Sequence, residues 1–107
     1  MLVTVYQKDW DHDDKLRAVA IVDAPTDNND VALNDAYAMT QTVHDYWWKN
    51  RRVEKVFYGE GAPSTSVGDV LFTSEGWWQV EPFGFAKVDP DELKFYNSGS
   101  GDELPDL

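Results

Sequence analysis

Val67-Gly68-Asp69-Val70-Leu71-Phe72-Thr73-Ser74-Glu75-Gly76-Trp77-Trp78-Gln79-Val80 is the stretch that decides the fold class. Two apolar runs of strand length flank Ser74-Glu75-Gly76, and a three-residue loop ending in glycine between such runs specifies a β-hairpin. Gly68-Asp69 reads as a structural entry to the first run: glycine supplies a positive φ, and aspartate accepts hydrogen bonds from nearby amides. Side chains alternate along a strand, so Trp77 and Trp78 point to opposite faces. One enters the core while the other meets solvent or a covering element.

Toward the C-terminus, Pro82 and Gly84 interrupt the return strand and predict a kink or bulge before a last extended piece at 85–88. Asp89-Pro90-Asp91-Glu92-Leu93 starts a single helical turn, and 97–107 is a Gly/Ser/acid tail expected to be disordered. Toward the N-terminus, 53–58 reads as a strand. Before it, Leu33, Ala36, Tyr37, Thr40, Val43, His44 and Trp47 recur at three- and four-residue steps, the period of an amphipathic helix. Asn34 or Asp30 is its expected cap and Lys49-Asn50 its expected end. Earlier still, 16–22 holds the unbroken apolar run Ala18-Val19-Ala20-Ile21-Val22, which fits a central strand buried on both faces. Residues 8–15 form an Asp-dense loop and 2–6 a first strand. The order β-β-α-β-β-β specifies an α+β fold, a single domain over 1–96 with one amphipathic helix packed on a curled, mainly antiparallel β-sheet.

A second reading of the same region rests on likeness. Ser64-Thr65-Ser66-Val67-Gly68-Asp69-Val70-Leu71, then Trp77-Trp78-Gln79-Val80 and Phe83-Gly84-Phe85, together with a helix ending in Trp47-Trp48-Lys49-Asn50, resembles a family of small, uncharacterised bacterial and phage-encoded proteins. The likeness covers about residues 35–88. It implies the same helix-plus-hairpin fold and a phage or mobile-element setting, and it brings no reaction with it.

Composition narrows the function classes. The chain has 107 residues, room for one domain, and its 14% aromatic content argues for a folded body. Without cysteine it has neither a disulfide framework nor a thiolate metal site. Its start resembles no signal peptide and no apolar run is long enough to span a membrane, so a cytoplasmic protein is expected, in a bacterial or infected host cell. The net charge of −11 is unevenly placed. Residues 1–30 carry seven acids against three bases, residues 31–60 four of each, and residues 89–107 six acids against one base. Such a field repels nucleic acid and anionic membranes and attracts basic protein surfaces.

The chemical constellations are sparse. His12 sits among Asp11, Asp13 and Asp14, and His44 on or beside the apolar helix face, but nothing pairs either with a nucleophile. Asp9, Asp11, His12, Asp13 and Asp14 are spaced like the start of a calcium loop, yet the glycine at the sharp turn and the distal bidentate glutamate are missing. A solvated acidic loop is the expected state, with no metal bound. Gly59-Glu60-Gly61 is a poor phosphate cradle, since no lysine follows and Glu60 has the wrong sign. No cofactor is expected and no enzyme activity is read from the chain.

What remains is a binding protein. The expected acidic patch comprises Asp9, Asp11, Asp13, Asp14, Asp89, Asp91 and Glu92. The expected aromatic contacts are Trp48 and Trp78, on the reasoning that one of each Trp pair lies off the core, with Arg51 and Arg52 nearby. The expected partner is a basic, nucleic-acid-binding host protein, engaged by carboxylates that stand in for phosphates, as in an anti-CRISPR or anti-restriction inhibitor. The alternative is an accessory or ligand-binding domain with a pocket near Trp47, Tyr58 and Trp78, its acidity serving only solubility.

Overall fold

Alternation of apolar and polar residues at the N-terminus builds β1 (Leu2–Asp9), with Val3, Val5 and Gln7 turned inward and buried. The chain turns through Trp10–His12, a short 3-10 helix, and returns antiparallel as β2 (Lys15–Asp23). The computed structural model describes residues 1–43, 45–57, 59 and 61–96. His44, Tyr58, Glu60 and the acidic tail at 97–107 lie outside the described residues, and so do the expectations made for them.

The apolar run in β2 is not buried on both faces. Val5 pairs with Ala20 and Tyr6 with Ala18, so Val19 is an extra residue in the ladder, a β-bulge. The bulge places Val19 and Ala20 consecutively in the core, while Ala18 and Ile21 are only half-buried. An unbroken apolar run therefore arises here from an irregularity in a one-sided strand.

The helix α1 (Asn29–Met39) follows, capped by Asn28, whose Oδ1 accepts from the Val31 N–H at 3.0 Å. Neither Asn34 nor Asp30 is the cap; Asp30 instead lies in the first turn, where a negative charge suits the helix dipole. The helix packs on β1 and β2 through Ala32, Leu33 and Ala36; the two alanines let it approach closely and Leu33 fills the core. It stops about ten residues short of the expected end. The Thr40 hydroxyl donates to the Ala36 carbonyl at 2.8 Å, and Gln41 Nε2 donates to the Tyr37 carbonyl at 3.0 Å, so side chains take the last carbonyls. Trp47-Trp48-Lys49, read as the helix end, is a separate 3-10 turn.

The remaining strands are β3 (Val53–Lys55), β4 (Val70–Thr73), β5 (Gly76–Val80) and β6 (Phe85–Val88). The sheet order is β3-β2-β1-β4-β5-β6, every neighbour antiparallel. Thr73 pairs with Gly76, so the β4–β5 hairpin closes on two residues instead of three. Val80 pairs with Phe85 across the turn at 81–84, so Pro82 and Gly84 make a second hairpin and a sixth strand instead of a kink. The result is an α+β fold: one helix against an open six-stranded sheet.

After β6, Asp89 caps the short turn Pro90–Glu92 and the chain crosses the outer face of the sheet. It then forms a parallel bridge to β2: Leu16 N–H donates to Lys94 O at 2.8 Å and Tyr96 N–H to Leu16 O at 2.9 Å. Phe95 packs its ring 5.3 Å from both Tyr6 and Trp77. This segment, 89–96, is a strap that ties the β6 side of the sheet to β2.

Candidate acidic face and its surroundings

The strap has a consequence for charge. Asp9–Asp14 and Asp89–Glu92 lie about eighty residues apart in sequence, yet Asp13, Asp14 and Glu92 line one concavity together with Lys8, Leu16 and Lys94. Asp11, Asp13, Asp14, Asp89, Asp91 and Glu92 are all exposed. Two basic side chains, Lys8 and Lys94, interrupt the acidic field.

Asp9 differs from its neighbours. Its carboxylate accepts the Asp11 N–H at 3.0 Å, meets His12 Nδ1 at 3.2 Å and accepts the Tyr96 hydroxyl. The His12 ring stacks on Tyr96 with centroids 4.1 Å apart. Burial pushes the Asp9 pKa up, but the Tyr96 hydroxyl, the Asp11 amide and the charges of His12 and Arg17 outweigh it and hold it below the usual value. Asp9 thus works as the strap's anchor and is not part of the outward acidic face. Asp13 and Asp14 both adopt the left-handed conformation, φ 57 and 59, which aspartate tolerates better than most residues, and Asp14 N–H closes the turn on Asp9 O. Asp89 Oδ1 accepts the Asp91 N–H at 2.9 Å.

Trp48 and Trp78 are half-buried against their own chain. Trp48 stacks on Tyr46 at 4.6 Å and meets Trp47 and Phe57 edge-on. Trp78 packs on the core, donates to Thr73 Oγ1 at 3.3 Å and lies under Lys87. Trp77 takes the outer face, beside Tyr6, Phe72 and Phe95. Arg52 is committed to a two-toothed ion pair with Asp35, at 2.8 and 3.0 Å, joining α1 to the approach to β3. The concavity that Trp47 lines, between the end of α1 and the turn at 47–49, does not include Trp78.

Among the described residues the most exposed large apolar side chains are Trp10 and Phe83, at 84% and 98%. Sequence reasoning passed over both. A signal was present: each sits within a turn, Trp10 among aspartates and Phe83 between Pro82 and Gly84, where a side chain has no core to reach.

Buried polar groups near the helix end are structural. Gln7 Nε2 donates to Pro63 O and Thr65 Oγ1, Thr65 and Thr40 share a hydrogen bond of 2.7 Å, and Trp47 Nε1 also donates to Pro63 O. Asp69 is 5% exposed and accepts the backbone N–H groups of Lys8 and Ser66, the role read for it beside Gly68, which has φ +95. Among the described residues no group of three His, Asp or Glu is placed to hold a metal ion, and no helix is long and apolar enough to cross a membrane.

Comparison with protein-family models, curated proteins and solved structures finds no match. The class that fold and surface define is a small α+β domain with an acidic strap-and-turn face.

Proposed function

We propose that the protein is a non-enzymatic binding protein whose acidic face engages a basic, nucleic-acid-binding protein, as an inhibitor or adaptor of the anti-CRISPR or anti-restriction kind, in a phage or mobile-element setting. The observation that supports it is the meeting of two acid-rich segments on one side of the molecule through the strap. Exposed carboxylates at Asp11, Asp13, Asp14, Asp91 and Glu92 present negative charge from two segments of the chain at once, as phosphates on the two strands of a duplex do. Charge of this kind acts mainly on association rate and partner choice, and its effect is screened within about 8 Å at physiological salt.

The test is affinity capture from bacterial lysate with wild type and with Asp11→Asn/Asp13→Asn/Asp14→Asn/Asp91→Asn/Glu92→Gln, leaving Asp9 intact because it anchors the strap. The expected result is a basic nucleic-acid-handling protein retained by wild type at low salt, displaced by DNA or high salt, and lost with the neutralised variant. Equal retention by both proteins, insensitive to salt, would refute the reading.

A further inference from the structure

The register of the strands brings three loops into a row. Tyr6 pairs with Val70 and Val70 with Gln79, so the exit of β1, the entry to β4 and the exit of β5 share one end of the sheet. Across that end, in the order β2-β1-β4-β5-β6, lie the turn holding Trp10, the loop holding Val67 and the turn holding Phe83. Each presents an exposed apolar side chain, 84%, 56% and 98% exposed. With strands about 4.8 Å apart, the turns holding Trp10 and Phe83 are offset by about 14 Å across the sheet.

Single exposed apolar residues are ordinary, but this rim holds the two most exposed large ones among the described residues. Neither turn uses its aromatic ring. The Trp10 turn is held by Asp9 side-chain and backbone bonds, and the Phe83 turn by the Glu81 N–H to Gly84 O bond of 2.9 Å with Gly84 at φ +90. Acids neighbour both anchors along the chain: Asp11, Asp13 and Asp14, all exposed, follow Trp10, and Glu81, half-buried with its carboxylate accepting from Gln79 Nε2 at 3.0 Å, precedes Phe83 by two residues.

We infer that this rim is the docking edge of the acidic face, with Trp10 and Phe83 as apolar anchors that seat in two sockets of a basic protein surface. The inference rests on the function proposed above and adds the residues that hold the partner. Acids steer the encounter, and the aromatics, once desolvated, slow dissociation. A lipid surface fits the rim less well, because carboxylates around the anchors repel anionic headgroups.

The test uses two synthetic 16-residue Arg/Lys-rich peptides, identical except that one carries leucine and the other serine at two positions four residues apart. That spacing is about 13 Å in an extended chain. Each is titrated into wild type, Trp10→Ala/Phe83→Ala and Asp11→Asn/Asp13→Asn/Asp14→Asn at low and high salt. Backbone amide resonances of residues 10–14 and 83–85 report the site in all three proteins, joined in wild type by the Trp10 indole N–H. The expected result is that leucine tightens binding to wild type about tenfold and that this gain vanishes in Trp10→Ala/Phe83→Ala. The aspartate variant weakens both peptides and flattens their salt dependence. If leucine gives no gain, or the gain survives loss of both rings, the anchors are refuted while salt-sensitive binding of both peptides keeps the charge reading alive. If neither peptide binds wild type at low salt, both readings fall. Ring-dependent binding to phosphatidylcholine vesicles would assign the rim to lipid and also overturn the inference.

Discussion

Asp9 and Asp69 show how two aspartates in one small sheet come to opposite electrostatic ends. Asp9 is held ionised by the Tyr96 hydroxyl, an amide and nearby cations acting against its partial burial, so its folded pKa is depressed. Asp69 is shut away from water, and although the Lys8 and Ser66 amides and the Lys8 charge favour the anion, desolvation wins and its pKa is raised. The linkage signs follow. Stability from Asp9 is full above the unfolded carboxyl value of about 3.9 and is lost as pH falls through its lower folded value. Asp69 penalises the fold above its raised pKa, and the penalty is relieved as pH falls through that value toward the unfolded one. The stability deficit of Asp9→Asn against wild type therefore narrows in acid, whereas that of Asp69→Asn widens. Urea denaturation of the three proteins from pH 7 downward measures both slopes, and parallel curves would contradict the assignment. That Asp69 would accept backbone amides was legible from Gly68-Asp69 at a strand entry. That Asp9 would leave the acidic loop to anchor a distant tyrosine was not, because its partner Tyr96 is 87 residues away.

The helix is the element on which pattern and structure part most clearly. Its periodicity at 33–47 is real in the sequence, but the chain leaves the helical path at Thr40, where β-branched Thr40, Thr42 and Val43 weaken propensity and Thr40 finds a better use for its hydroxyl. Hydrogen bonds order that site in one direction: Gln7 Nε2 to Thr65, Thr65 to Thr40, Thr40 to the Ala36 carbonyl. Thr40→Val keeps the shape and removes the hydroxyl, leaving the Ala36 carbonyl and Thr65 hydroxyl short of a partner in a buried place. The expected cost is about 1–3 kcal/mol by chemical denaturation. At the other end, Asn28→Ala removes the cap and is expected to cost about 1 kcal/mol. Asn34→Ala serves as the control; it loses only its side-chain bond to the Asp30 carbonyl on the exposed face, so its cost is expected to be smaller than that of the cap. Asn28 was overlooked because Asn and Asp favour turns and caps by the same local hydrogen bonds, and the residue types in 26–30 suit both. The hairpins were easier to read. Gly76 marks one chain reversal and Pro82 with Gly84 a second, although the pattern at 82–84 reads equally as a kink within one strand.

At the scale of the whole molecule the strap decides what the surface is. It covers part of the outer sheet face with Leu93 and Phe95, ties β6 to β2 through Leu16, and carries Glu92 to the concavity that Asp13 and Asp14 line. Phe95→Ala strips the ring from Tyr6 and Trp77; since Phe95 is itself partly exposed, a loss of about 1–2 kcal/mol is expected, with a red shift of the tryptophan emission as Trp77 is uncovered. An unchanged midpoint and spectrum would show that the strap does not hold this face. The amino-acid sequence by itself determined the α+β class, the paired strands at 70–80, the turn at 89–92, the lack of cysteine chemistry and the strong negative charge, because each depends on composition or on contacts within a few residues. Only the tertiary structure decided that Val19 bulges, that Trp48 and Trp78 are half-buried against their own chain while Trp10 and Phe83 are bare, and that two distant acidic runs share one face. Those outcomes depend on which strands pair and in what register, and a local pattern holds no record of partners eighty residues away.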